Sequence, residues 1–451
     1  MKTFLRWLLF IFLGLGLLAT LFYAEEDWRG WHAWNKCKRE FKAKGTEMDW
    51  NAYIPPPVSD DENFFEAPKM ADWFIRGHHG EQLQDPFKNP DTTSEIKTES
   101  AARNYLAWSD QFRTNFNLIR EALKRPYARM GGDYSKLAEQ PVPNFVSVRI
   151  VAQTLAQRAK CDLLLGQPDQ ALEELTLMHD MCRLLEAAPT GKPMILVSAM
   201  INVAVSRLFV DTVANGFQIH AWQAPQLATL QKQLADINLT PFVFEAFKDE
   251  AAGLSRTAQI DWIPSLFNIN NSVKAKWTTK IISWFWPRGW TYQNMVNVAT
   301  LEQKPLAGFD IADDTIVPRK CEAASREVDR FLKHKSPFKL LAAIAIPNFT
   351  KAEQSLAFNQ TLANEAQIVC ALERYRLAFG YYPATLGALV PRFIEELPHD
   401  IIGGEPLHYR RTEGGKFLLY SVGWNERDDD GQPGTLANVK HGDWVWGYPK
   451  P

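Results

Sequence analysis

Residues 151–185 read VAQTLAQRAKCDLLLGQPDQALEELTLMHDMCRLL. Apolar residues recur every three or four positions on both sides of a Gly-Gln-Pro-Asp break at residues 166–169. This spacing places them on one face of a helix, while glycine and proline end one helix and begin the next. The two apolar faces consist of Val151, Leu155, Ala159 and Leu163 before the break, and Ala171, Leu172, Leu175, Met178, Cys182 and Leu185 after it. The stretch therefore predicts two helices joined by a tight turn.

Part of this stretch, from Ala156 to Leu175, resembles one helical hairpin of the tetratricopeptide type. A solenoid needs at least three stacked repeats, and no second copy follows at the tetratricopeptide period of about 34 residues. An ordinary antiparallel helical bundle is the alternative. In either arrangement Cys182 lies roughly 13 Å too far along the second helix to reach Cys161, so we predict no disulfide between them.

Helical patterning extends on both sides of the hairpin and predicts an all-α helical-bundle domain over residues 101–264. A nearly all-apolar helix is expected from about Met194 to Phe217. Two further helices are expected at residues 224–237 and 242–260. The fold class predicted for this part of the chain is therefore all-α.

Residues 1–26 are predicted to be a transmembrane anchor. Residues 7–24 are uncharged, and at about 1.5 Å per residue they give ~27 Å of helix, enough to cross the hydrocarbon core of a lipid bilayer. A cleaved signal peptide is the alternative, but a small-x-small cleavage site is missing. Lys2 and Arg6 favour an inside N-terminus, although a count of the basic residues at 29–44 favours the reverse. We predict a single-pass protein of the cell membrane with the bulk of the chain extracytoplasmic, in the periplasm.

Two segments connect the anchor and the helical domain to the rest of the chain. Residues 27–100 are predicted to be a juxtamembrane region, with a basic helix at 27–44. Within the same region, residues 53–62 are predicted to be a stiff, extended Pro-rich spacer, because proline fixes φ and lacks an N–H donor. Residues 265–339 are a Trp-rich connecting region. Its tryptophans are interleaved with basic residues, a pattern that fits a membrane interface, a buried lid or a domain contact.

Residues 340–451 predict a C-terminal α+β module. Apolar residues at helical spacing from Phe358 to Phe379 predict a long helix. Strands are predicted at 407–411 and 416–421, with two glycines between them to supply the positive φ of a hairpin turn. Trp444-Val445-Trp446 is a candidate third strand. A helix packed on a small antiparallel sheet is the expected arrangement.

The order of motifs in this module resembles the globular half of the type II secretion major pseudopilin. The matching motifs are Ala345-Ile346-Pro347-Asn348, Gly380-Tyr381-Tyr382-Pro383, Leu397-Pro398-His399-Asp400, Gly404-Glu405-Pro406-Leu407-His408-Tyr409 and Tyr420-Ser421-Val422-Gly423. The family's prepilin leader is not found, and Ile401-Ile402 stands where the family has a Pro-aromatic pair. The chain thus resembles a membrane-anchored helical protein that carries a pseudopilin-like module. The whole layout resembles a class of bacterial membrane-anchored proteins without an assigned activity.

The acidic loop after Ser421 is the candidate metal site. Asp428, Asp429 and Asp430 are adjacent like charges, which repel one another unless they are solvated or neutralised by a cation. The pseudopilin resemblance implies a calcium-binding loop here, formed by acidic side chains and backbone carbonyls, with calcium as the cofactor. A solvated acidic turn is the alternative. The spacing is not that of an EF-hand, because Ala437 stands at position 12 of the loop.

Composition and motifs reduce the number of function classes that the chain could have. The chain of 451 residues has 50 basic and 52 acidic residues, which gives no electrostatic signature of nucleic-acid binding. The five cysteines lack the CxxC spacing of zinc or redox sites, and no known catalytic motif is present. We therefore predict a non-enzymatic, membrane-anchored extracytoplasmic protein with a protein-interaction or structural role, linked by the resemblance to a secretion or pilus-like system. An extracytoplasmic hydrolase with an unrecognised active site is the alternative.

Overall fold

The computed structural model describes residues 2–77, 96–134, 141–186, 195–260, 284–346, 349–434 and 440–447. These residues are mainly helical with few strands, which confirms the coarse fold class. The helices are α1 (Lys2–Ala43), α2 (Met70–Phe74), α3 (Glu99–Ser109), α4 (Arg113–Ala122), α5 (Phe145–Leu164), α6 (Pro168–Met181), α7 (Leu196–Gln218), α8 (Ala224–Ala235), α9 (Thr240–Ile260), α10 (Arg288–Glu302), α11 (Pro318–Lys333), α12 (Leu340–Ala345) and α13 (Phe349–Phe379). The strands are β1 (Phe309–Asp310), β2 (Thr315–Ile316), β3 (His408–Arg411), β4 (Phe417–Ser421) and β5 (Trp444–Val445).

Helix α1 runs without a break through the predicted boundary at residue 26. Its first half carries exposed apolar side chains from Phe4 to Phe22. By length and composition, it is one of two described helices that could cross a membrane. The other is α7, which is mostly buried and is a core helix of the protein. The second half of α1 packs on α10 through Trp34 and Cys37.

Helices α5 and α6 pack against each other as the helical hairpin expected from residues 151–185. The turn between them contains Gly166 at φ +71°, and Pro168 occupies the first turn of α6. Most side chains of the two predicted apolar faces are buried. Cys161 and Cys182 are both free thiols.

The long helix α13 shares a core with this hairpin. It packs along α7 and α8, and its Leu362 and Cys370 belong to the same hydrophobic cluster as Leu155 of α5. The domains predicted at 101–264 and 340–451 therefore meet in one continuous core. A module cut out at residue 340 would lose the apolar partners of its longest helix.

The segment predicted to be a spacer is packed against the helical core. Its prolines exclude a long helix, as expected, and only short 3₁₀ turns occur between Trp50 and Glu66. However, Phe64 and Phe65 are buried in the main hydrophobic cluster, and Arg125 donates to the Asp60 carbonyl oxygen at 2.8 Å. The extended Pro-rich stretch predicted at 53–62 therefore lies beside the domain, because the aromatic side chains that follow it hold the chain there.

The described part of the Trp-rich connecting region is structured. Residues 284–339 include α10, the short hairpin of β1 and β2, and α11. Met295 and Val298 of α10 form a hydrophobic cluster with Trp34 of α1. Of the tryptophans noted in the sequence, Trp277 lies outside the described residues.

The C-terminal sheet has the order β3-β4-β5, with both pairs antiparallel. All three predicted strands are confirmed, each about one residue shorter than expected. Gly414 and Gly415 turn the hairpin with φ of +79° and +73°. Leu372 of α13 and Leu419 of β4 belong to one cluster, so the sheet packs on the C-terminal half of α13.

Candidate functional site: a cleft between three helices

A cleft of about 580 Å³ lies where α5, α7 and α13 meet. Its walls come from three distant parts of the sequence, because the shared core brings α13 beside α7. The lining residues are Arg149 and Gln153 of α5, Met200, Ile201, Val203, Ala204, Val205, Arg207 and Leu208 of α7, and Lys351, Gln354, Ser355, Phe358 and Asn359 of α13.

The apolar wall of the cleft follows from helical spacing. Met200, Ala204 and Leu208 recur every four positions along α7 and so share one face of the helix. Across the cleft, Phe358 of α13 is only partly buried. The other side of this ring meets Trp444 of β5 edge-on, with ring centroids 5.3 Å apart. The cleft therefore offers apolar surface that the fold leaves partly open.

The rim of the cleft is basic. Arg149 and Lys351 are exposed, and among the described lining residues there is no Asp or Glu. Arg207 is held in place, because its Nε lies 2.8 Å from both carboxylate oxygens of Asp211 and its guanidinium lies 5.1 Å from the centre of the Phe358 ring. The rim thus favours a ligand that carries negative charge beside apolar groups.

Two buried amides line the same cleft. Gln354 and Asn359 are each only 7% exposed. The Nε2 of Gln354 and the Oδ1 of Asn359 have no hydrogen-bond partner within the described part of the chain, although Asn359 donates through Nδ2 to the Ser355 carbonyl oxygen at 2.6 Å. A buried polar atom without a partner costs about 1–3 kcal/mol. One unpaired donor and one unpaired acceptor thus belong to residues that line the cleft, and both atoms are themselves buried.

The predicted metal-site residues lie in a different place, in the loop after β4. Asp428 accepts hydrogen bonds from the Tyr420 hydroxyl at 3.1 Å and from the Asp430 backbone N–H at 2.9 Å, and the latter lowers the pKa of Asp428. Asp429 accepts from the Asn425 side chain at 2.8 Å. Asp430 forms an ion pair with Arg410. Each of the three carboxylates thus has its own protein partner.

A residue without any signal in the sequence closes this loop. Asp443, just before β5, is 1% exposed, and its carboxylate accepts the backbone N–H groups of Asp429 at 3.1 Å and Gly431 at 2.7 Å. Burial raises the pKa of Asp443. A lone aspartate with no motif around it gives no signal in the sequence that it would bind a loop twelve residues earlier.

The described residues do not by themselves form a calcium cage. Calcium takes six to eight oxygens in one shell. Across the parts of the chain that the structure describes, no group of three or more His, Cys, Asp or Glu side chains is placed to hold a metal ion. Arg410 already neutralises Asp430, and His408 lies 3.5 Å from Asp428. Residues 435–439 lie outside the described residues, and the calcium site stays a prediction.

A smaller pocket, of about 230 Å³, bears on the hydrolase alternative, because Cys182, His179 and Ser206 line it. Burial raises the pKa of the Cys182 thiol to about 12, which keeps it from being the thiolate that a nucleophile requires. His179 interacts with its neighbour Asp180 at 3.4 Å, and the Ser206 hydroxyl donates to Asn202. These contacts do not pair a nucleophile with a base.

Comparisons with protein-family models, with curated proteins and with solved structures found no match to this chain.

Proposed function

We propose that this protein is a single-pass, membrane-anchored extracytoplasmic protein without catalytic activity, and that its cleft binds an acidic, apolar segment of a partner protein. The observation that carries the proposal is the cleft between α5, α7 and α13. It combines a partly open apolar wall, a basic rim and two unpaired amide atoms.

The membrane part of the proposal rests on α1. Its exposed apolar side chains from Phe4 to Phe22 would be costly to leave in water, at about 25 cal/mol per Å² of apolar surface. The hydrocarbon core of a bilayer removes that cost for a helix of this length. The acidic residues and tryptophans that follow the apolar run in α1 suit the headgroup region.

The choice of a peptide ligand rests on the chemistry of the cleft. A peptide backbone offers both a carbonyl oxygen for the Gln354 Nε2 and an N–H for the Asn359 Oδ1. Carboxylate side chains suit Arg149 and Lys351, and apolar side chains suit the α7 wall beside Phe358. The pseudopilin resemblance of the C-terminal part supports a partner within a secretion or pilus-like system.

The test is a selection of short random peptides by the full-length protein in detergent. We expect enriched sequences to combine Asp or Glu with apolar residues, because the rim is cationic and the wall is apolar. The strongest peptide is then synthesised with a fluorescent label and titrated. The Arg149→Glu/Lys351→Glu variant should bind it at least tenfold more weakly, since each charge-assisted hydrogen bond is worth about 1.5–3 kcal/mol and about 1.4 kcal/mol is a tenfold change.

The matched control reverses two basic residues away from the cleft. Arg411 and Lys416 lie on or beside the exposed C-terminal hairpin, and their replacement by Glu should leave the affinity unchanged. Both exposed pairs can be changed without disturbing the core. Equal binding by the two double variants, or a selection that enriches no acidic sequence, would contradict the proposed cleft.

The anchor has a separate test. After extraction of membranes with alkaline carbonate, the full-length protein should remain in the pellet. Alkaline carbonate breaks the electrostatic contacts of peripheral proteins, but it does not extract an apolar helix that spans the bilayer. Recovery of the protein in the supernatant, beginning near Glu25, would show that the apolar segment is a cleaved signal sequence.

A further inference from the structure

Two large aromatic side chains just before α10 are mostly exposed. Trp284 is 89% exposed and Phe285 is 68% exposed. A soluble surface rarely leaves two adjacent aromatic side chains so far out of contact, and exposed apolar patches commonly mark an interaction surface.

Contacts with α1 fix the place of these two residues along the apolar helix. The Tyr23 hydroxyl donates to the Phe285 carbonyl oxygen at 2.8 Å. The ring of Phe22 meets Trp290 of α10 edge-on, with centroids 6.4 Å apart. Because Tyr23 lies in the last turn of the apolar run, Trp284 and Phe285 lie at the level where that run ends.

Polar contacts hold α10 at this level. The Gly289 backbone N–H donates to Asp27 at 2.7 Å, and the Trp290 indole N–H donates to Glu26 at 3.0 Å. Gly30 and Gly289 let the two helix backbones touch, since an added Cβ on either would clash with backbone atoms of the other helix. The exposed aromatic pair therefore cannot move away from α1 without breaking this junction.

We infer that Trp284 and Phe285 insert into the headgroup region of the same bilayer that α1 crosses, as a second point of membrane contact. This inference rests on the membrane anchor of the proposed function. The occupant is a lipid surface, because the exposed aromatic surface continues through Phe22 onto the exposed apolar face of α1. Aromatic rings favour this depth, where one edge is wet and the ring faces are apolar. Trp28 and Trp31, which are exposed on the next turns of α1, lie at the same border.

The test measures the depth of single positions in the full-length protein reconstituted into phosphatidylcholine and phosphatidylglycerol vesicles. An environment-sensitive fluorescent amino acid replaces Trp284, Leu13 or Leu377 in separate samples. Leu13 reports the apolar half of α1, and Leu377 is an exposed apolar residue near the end of α13. Lipids with a nitroxide at the headgroup or deep in the acyl chain serve as quenchers.

We expect the headgroup nitroxide to quench position 284 several-fold more than position 377, and the deep nitroxide to quench position 13 most. If position 284 is quenched no more than position 377 while position 13 is quenched by the deep probe, the second contact is overturned and the anchor stands. If position 13 is not quenched either, the anchor of the proposed function fails, and the second contact fails with it.

Discussion

The buried ion pair between the two helices of the central hairpin allows the sharpest prediction about stability. Arg158 of α5 is 6% exposed and donates through Nε to Glu174 of α6 at 2.8 Å. Its Nη1 also donates to the Ser109 hydroxyl at 2.7 Å and to Asp110 at 3.1 Å. Replacing it with methionine keeps most of the apolar stem but removes every one of these bonds.

The expected loss follows from what Arg158→Met leaves behind. Glu174, also 6% exposed, then keeps Arg120, whose Nη2 lies 3.4 Å from its second carboxylate oxygen. Removing one partner of a buried pair costs about 3–5 kcal/mol, and the remaining arginine places this case near 3 kcal/mol. With a urea dependence near 3 kcal/mol per molar, the midpoint should fall by about 1 M.

The assay is equilibrium unfolding of the full-length protein in urea and mild detergent, followed by helical circular dichroism. The Arg158→Met/Glu174→Leu variant should recover about 2 kcal/mol relative to the sum of the single variants, because it also removes the carboxylate that Arg158→Met leaves buried. Arg113→Met is the matched control, since Arg113 pairs with Asp110 at the surface and should lose less than about 1 kcal/mol. A loss below about 1 kcal/mol in Arg158→Met, or simple additivity in the double variant, would refute this reasoning.

Three further predictions concern pH, packing and calcium. Burial raises the pKa of Glu353 to about 8, so the folded state holds a proton that the unfolded chain releases near pH 4.3. The free energy of unfolding should therefore fall as pH rises from about 4 to about 8. In Glu353→Gln, the urea midpoints at pH 5 and pH 8.5 should differ less than in the unmutated protein. Gly289→Ala should separate α10 from α1 and lower the thermal midpoint, whereas Gly131→Ala, where an added Cβ meets nothing, should not; equal midpoints for the two variants would contradict the close helix contact. The sequence-based calcium site predicts roughly 2.7 kcal/mol of added stability at a hundredfold excess over Kd, lost in Asp428→Ala/Asp430→Ala, and unchanged unfolding of the unmutated protein in calcium and in chelator would remove it.

Local pattern was enough to predict several elements of this protein. The α5–α6 hairpin and the three C-terminal strands could be predicted because helical spacing, strand spacing and turn glycines act over a few residues. Gly414 and Gly415 had to adopt positive φ for the hairpin to form, and they do. Helix α10 was not predicted, because the tryptophans around Trp290 fitted a membrane interface, a lid or a domain contact and did not indicate a helix.

Tertiary arrangement was beyond the reach of the same reasoning. Leu362 of α13 and Leu155 of α5 share a core, but neither segment has a sequence pattern that indicates packing against the other. The cleft could not be predicted for the same reason, since Arg149, Leu208 and Phe358 meet only after three helices have packed. The acidic loop was located from its three adjacent aspartates, but its partners are Arg410 of β3 and Asp443, which precedes β5.

The unbroken course of α1 has a mechanical consequence. From Lys2 to Ala43 it is one helix, about 60 Å long at 1.5 Å per residue, and its upper half is fixed to α10 by the Gly30–Gly289 contact. A continuous helix of this kind passes a tilt at one end on to the other end, whereas a flexible linker would not. If α1 crosses a bilayer as proposed and hydrophobic mismatch tilts it by about 10°, its far end swings by about 10 Å and the attached domain turns with it. Bilayer thickness would then set the direction in which the cleft faces.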